Sequence, residues 1–224
     1  METQTWKKGF NLGIVLTFTI VVSTIAYIKI GWAPVIIVGS SGIIGSVFWY
    51  FTYLKRPVDP KVILPLFVLT VVSLQIHMIE EYSTGFGPAM SRLFGISWTE
   101  KGFVIVFTLI GPMIYLLSAL GLFFQFPLAG FVAWFIFIGP GAMEFTHFIF
   151  PLIEPSIQPN SIEPFTQVIN GVLVRDMPNY YYKTTGEFYF PGLYTALLPM
   201  IPGIYSIFKL VSYHRANSTA ATSR

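Results

Sequence analysis

Hydropathy along the chain alternates between long apolar runs and short polar breaks. Six runs approach the roughly 20 mostly apolar residues that a helical membrane span needs: about 10–30, 32–54, 62–83, 103–124, 127–153 and 191–211. The pattern predicts an all-α, polytopic transmembrane helical bundle of about six spans, forming a single domain over 1–224. The first run follows Lys7 and Lys8 in the manner of a signal peptide. It is longer than a typical signal core, and "YIKIGW" offers no small-residue cleavage site, so it is read as a retained span. The Gly-rich "VGSSGIIGS" at 38–46 suits close helix packing within a membrane.

Composition agrees. Of the 224 residues, 54% are hydrophobic and 10% charged, and the mean hydropathy is +0.68. Soluble domains carry about 25% charge. The absence of cysteine excludes disulfides, thiolate-bound zinc, iron–sulfur clusters and cysteine nucleophiles. The net charge of +3 bears on orientation rather than on a nucleic-acid partner, and no nucleic acid is expected. Six spans would place Lys7, Lys8, Lys55, Arg56, Lys61, Lys209, Arg215 and Arg224 on one side. Lys29, Arg92, Lys101, Arg175 and Lys183 would lie on the other. The basic excess then predicts that both termini are cytoplasmic. The connection 154–190 would lie on the non-cytoplasmic side. It is long for a loop and ends in the Tyr-rich "DMPNYYYKTTGEFYFPG", which reads as an interfacial aromatic belt or as a lid over a site.

Polar residues inside the apolar runs are costly, and they mark function by default. "SLQIHMIEEYSTG" at 73–85 places His77, Glu80 and Glu81 at the end of the third run. On an α-helix Glu80 falls about 60° to one side of His77 and Glu81 about 40° to the other, so all three share a face. In the fifth run, "GPGAMEFTHFIFP" places Glu144 and His147 three residues apart. Measured from the starts of their parallel runs, His77, Glu80, Glu144 and His147 lie at depths that agree within about 8 Å. Two polar faces at matched depth, neither of them stable against lipid, are expected to converge in a buried pocket.

Two imidazoles with several carboxylates form a ligand set for zinc or non-haem iron. Glu144-x-x-His147 is also half of a di-iron carboxylate pattern, but the other pair is reversed and one glutamate is missing. The expected ligands are His77, Glu80, Glu144 and His147, with Glu81 as bridging ligand or general base beside Glu80 and His77. Asn170, Asp176, Asn179 and Tyr182 are candidate substrate contacts from the loop. The same cluster can also act without metal, as a His/Glu proton relay.

His77-Met-Ile-Glu80-Glu81 resembles the signature of the HXXEE-motif family of integral membrane proteins. The segment from Tyr189 through Pro191, Gly192, Leu193, Thr195 and Ala196, followed by Pro202, is similar to that family's closing Pro-Gly-Leu-x-Thr-Ala stretch. The resemblance covers about 62–211 and implies a second site histidine, for which His147 is the candidate. The family tends to carry asparagine one turn earlier, where Met143 and Glu144 stand, and its loop is shorter. The resemblance implies enzymatic activity but supplies no reaction. Emopamil-binding-type sterol isomerases offer a weaker likeness, of site chemistry alone.

Three functions follow as expectations. The first is a metal-dependent membrane enzyme, an oxidoreductase or hydrolase using Fe or Zn on a lipophilic small molecule among membrane lipids. The second is a metal-free isomerase or cyclase of an isoprenoid- or sterol-like lipid. The third is a proton-coupled transporter with Glu80 and Glu144 as carriers, against which stands the lack of an inverted repeat. The sequence sets neither substrate nor oligomeric state.

Overall fold

Asp59 and Pro60 show how the sequence starts a helix in this computed structural model, which describes residues 2–29, 31–158 and 161–222. The Asp59 carboxylate accepts the backbone N–H of Lys61 at 2.9 Å, and Pro60 occupies the first turn, where its missing N–H costs nothing. The helix then runs through a largely apolar stretch as α3 (Pro60–Ser83), with His77, Glu80 and Glu81 in its last two turns. Thr99 caps α5 (Glu100–Phe123) in the same way, through Gly102 N–H at 3.1 Å. Pro127 opens α6 (Pro127–Leu152). The remaining helices of more than one turn among the described residues are α1 (Glu2–Lys29), α2 (Val35–Phe51), the short α4 (Phe86–Phe94) and α7 (Leu197–Thr222).

Among the described residues, four helices rather than six are long and apolar enough to cross a membrane: Lys8–Lys29 within α1, α3, α5 and α6. The expected second run starts after a break at Gly31; a helical turn, Trp32–Pro34, leads into the 17 residues of α2, fewer than a span needs. The expected sixth run begins in tight turns over 191–196, and the second half of α7 is the polar "SYHRANSTAAT". Ile30, Pro159, Asn160 and Arg224, which belong to the expected spans, loop and charge count, lie outside the described residues.

The helices pack as a bundle whose connections gather at two ends. At one end, Arg56 donates to Asn217 O at 3.5 Å and Gln125 Nε2 to Val58 O at 3.4 Å. At the other, Ser97 Oγ donates to Lys29 O at 3.2 Å, and the Tyr180 hydroxyl to Thr84 O at 2.8 Å. Helices α3, α6 and α7 form the centre. Gly141 and Gly203 let α6 and α7 approach until a Cβ on Gly203 would stand 2.7 Å from Gly141 Cα. Ile79, Leu116, Leu117 and Phe208 are each more than 60% exposed, so the outward face is the apolar one. On a water-soluble domain such a surface would be anomalous; on helices of this length it suits lipid.

The long connection is built, not loose. Strands β1 (Phe165–Ile169) and β2 (Val172–Met177) pair antiparallel across Asn170-Gly171. Both turn residues have positive φ, 49° and 78°, as a two-residue hairpin turn of this hand requires. Buried Arg92, from α4, anchors this subdomain. Its guanidinium donates to the backbone carbonyls of Gln158, Glu163, Met177 and Ser161 and lies 4.8 Å from the Phe165 ring.

Candidate metal centre

Pro140 determines how α6 presents its polar residues. Without an N–H, and with its ring against the preceding turn, it cannot continue a regular α-helix. The chain widens to a π turn over Phe137–Gly141, then tightens to 3₁₀ over Ala142–Phe148. In a 3₁₀-helix residues three apart eclipse. Glu144 and His147 therefore point the same way, more closely aligned than on the α-helix expected from the sequence. Across from them, α3 presents His77 and Glu81, one turn apart.

The two pairs meet. One donor atom from each of His77, Glu81, Glu144 and His147 lies within 4.8 Å of all the others, and the two imidazole centroids are 4.9 Å apart at 90°. Nitrogen and oxygen alternate around the ring they form. His77 Nε2 is 3.3 Å from Glu144 Oε2 and 3.6 Å from Glu81 Oε1. His147 Nε2 is 2.8 Å and 3.2 Å from the same two oxygens. A tetrahedral shell with metal–ligand bonds of about 2.0–2.1 Å has edges of about 3.3–3.4 Å. The four N···O distances bracket that spacing and every donor pair lies within 4.8 Å, so the donors are close enough together to share a single divalent cation.

Burial makes the charge balance strict. His77 is fully buried, and Glu81 and His147 are each 2% exposed. The Glu144 side chain is the most open of the four, at 13%. Phe86, Phe150 and Phe190 wall His147, with ring centroids 5.5, 5.7 and 6.4 Å from the imidazole. His147 Nδ1 lies 2.7 Å from Pro191 O. A carbonyl only accepts, so Nδ1 carries the proton, and in the neutral ring Nε2 turns its lone pair toward the carboxylates. His77 Nε2 and Glu81 Oε2 are buried without a hydrogen-bond partner among the described residues. Two carboxylates facing two lone pairs need two positive charges, which one divalent cation or two protons can supply.

Glu80, expected among the ligands, is directed elsewhere. Its position on the helix, on the other side of His77 from Glu81, turns it to the segment before α7. There it accepts from Thr195 N at 2.8 Å, Thr195 Oγ1 at 2.7 Å, the Tyr189 hydroxyl at 3.0 Å and Tyr194 N at 3.4 Å. Glu81 takes the place in the quartet that Glu80 was expected to hold. Gly192, at φ +90°, sits where a Cβ would be 2.6 Å from His77 Cε1 and 2.8 Å from His147 Cε1 and Glu81 Cγ, so its backbone closes one side of the centre.

The loop candidates have local roles. Asn170 forms the exposed hairpin tip, and Asp176 sits at positive φ beside the strand irregularity with its N–H 3.4 Å from Thr166 Oγ1. Asn179 donates to Ser161 O at 2.7 Å and accepts Tyr181 N–H at 2.9 Å, while Tyr182 is 45% exposed at the start of a helical turn. The residues that do surround the quartet are Phe86, Phe150, Phe190, Pro191, Gly192 and Thr195. Pro191, Gly192 and Thr195 had one sequence signal, the likeness of their segment to the closing Pro-Gly-Leu-x-Thr-Ala stretch; Phe86 had none. No family model, no curated protein and no solved structure matches the chain.

Proposed function

We propose that this protein is an integral membrane enzyme in which His77, Glu81, Glu144 and His147 hold one zinc or non-haem iron ion, and that it acts on a lipophilic small molecule. The alternation of two nitrogens and two oxygens, with N···O distances of 2.8–3.6 Å and all four donors within 4.8 Å of one another, carries the reading. Imidazole and carboxylate together suit zinc and iron better than calcium or magnesium, which favour all-oxygen shells. Such an ion supplies Lewis acidity and lowers the pKa of bound water.

The chain's own residues divide the remaining work. Glu144, the most exposed of the four, lies on the side from which a reactant would approach and would be one of the carboxylates holding the ion. Glu81 keeps Oε2 free while Oε1 faces both histidines, so Oε2 can accept a proton. Phe86, Phe150 and Phe190 exclude water from the His147 side. A lipophilic reactant suits a centre enclosed by apolar, outward-exposed helices. The reading retains the likeness to the HXXEE-motif family and the orientation with both termini cytoplasmic.

Elemental analysis of purified protein tests it. About one equivalent of zinc or iron per chain is expected, falling sharply in His77→Ala and His147→Ala. Less than about 0.1 equivalent in active protein would refute it, with allowance for loss as the ligands protonate. A metal-free acid/base pair is then the reading to adopt, favoured by the 2.8 Å His147 Nε2–Glu144 Oε2 contact, which is itself hydrogen-bond length.

A further inference from the structure

The face of His77 turned away from the quartet carries a second arrangement. Its Nδ1 lies 2.9 Å from Thr195 Oγ1, and that same hydroxyl lies 2.7 Å from Glu80 Oε2. A hydroxyl has one proton to give. The carboxylate is the stronger acceptor and takes it. The Thr195 oxygen can then only accept from His77, which fixes the proton on Nδ1 and leaves Nε2 to face Glu81 and Glu144. Glu80 is held in place independently, by the Thr195 backbone N–H and by the Tyr189 hydroxyl.

We infer that Thr195 is a positioning residue for the metal centre: anchored on Glu80, its hydroxyl sets the tautomer and ring orientation of His77 and so presents Nε2 for coordination. Pro191 O does the same for His147 from only four residues earlier. One short segment, Pro191 to Thr195, thus orients both imidazoles, and Gly192 between these contacts has no side chain to intrude. This accounts for Glu80 lying beside the quartet without joining it. Its carboxylate stands behind a histidine through a hydroxyl, in an outer-shell role that commonly governs metal affinity. The inference rests on the proposed metal reading, and its test separates the two.

Zinc affinity of the full chain in detergent, measured by competition with a chromophoric chelator, is the readout. Thr195→Val keeps the side-chain shape and the backbone N–H bond to Glu80 and removes only the hydroxyl. It is expected to weaken zinc binding by about 10–100-fold. Thr195→Ser restores the hydroxyl and should bind within about threefold of wild type. Tyr189→Phe removes one donor to Glu80 but leaves the Thr195 hydroxyl on His77, and should weaken zinc binding less than Thr195→Val does. Zinc binding by Thr195→Val as tight as wild type overturns the inference and leaves the metal site standing. A wild-type protein that takes up no zinc or iron overturns the metal site, and this inference with it. Should Thr195→Val fail to fold, ¹⁵N NMR of the wild-type His77 ring decides: a protonated Nδ1 supports the inference and an unprotonated Nδ1 overturns it.

Discussion

Replacing Gly192 by alanine tests the closure of the centre. The new methyl would stand 2.6 Å from His77 Cε1 and 2.8 Å from both His147 Cε1 and Glu81 Cγ. Relief to about 3.0–3.4 Å requires the rings or the segment to move by about 0.4–0.8 Å, whereas metal sites tolerate about 0.2 Å in ligand distance. The backbone adds its own cost, because at φ +90° a Cβ is strained by about 1–2 kcal/mol. Overpacking adds about 1–3 kcal/mol. The substitution should therefore destabilise the protein by about 2–5 kcal/mol and weaken metal binding at least tenfold, about 1.4 kcal/mol. Tryptophan-fluorescence unfolding in detergent, with zinc competition on the folded fraction, measures both. A change below about 0.5 kcal/mol with unaltered zinc affinity would refute the placement of Gly192 against the three ligands.

Three further outcomes follow from the geometry. Glu81→Gln should weaken metal binding by more than about 100-fold, since loss of an outer-shell partner alone costs 10–100-fold; Glu80→Gln, which loses the charge but keeps an acceptor oxygen for Thr195, should cost less than that, and the reverse order in chelator competition would contradict the quartet. Arg92→Ala should cost about 4 kcal/mol, from four carbonyl bonds at about 1 kcal/mol each, and should open 156–177 to limited proteolysis. Burial, and then the Glu80 carboxylate, push the Tyr189 hydroxyl up to about 12 from its ordinary value near 10. Its contribution is complete below pH 10 and is lost between pH 10 and 12, where the unfolded state releases the proton first, so Tyr189→Phe should flatten the stability–pH curve in that window.

The sequence made some of this architecture legible and hid the rest for physical reasons. Length and hydropathy suffice for α1, α3, α5 and α6, because a run of about 20 mostly apolar residues reads as a spanning helix even where a few polar residues face inward. They overcount at 32–54 and 191–211, where the break at Gly31 and the Pro191-Gly192 turn shorten the helix and hydropathy averages across the break. The approach of the α3 and α6 polar faces was readable from spacing and depth. The choice between Glu80 and Glu81 was not. They lie at similar angles on either side of His77, and only the docking of Tyr189–Thr195 decides which carboxylate is drawn aside. The contribution of Pro191 is a backbone carbonyl, which no residue-type pattern reveals. Asn170-Gly171 did carry a hairpin signal, but a reading led by hydropathy treats the whole 154–190 stretch as loop.

Anomalous diffraction from crystals of the metal-loaded protein, recorded above and below the zinc or iron edge, tests the central claim most directly. The account predicts one edge-dependent peak per chain, about 2.0–2.2 Å from His77 Nε2, His147 Nε2 and an oxygen each of Glu81 and Glu144. A peak bound elsewhere, or none in protein shown to be active, would contradict it.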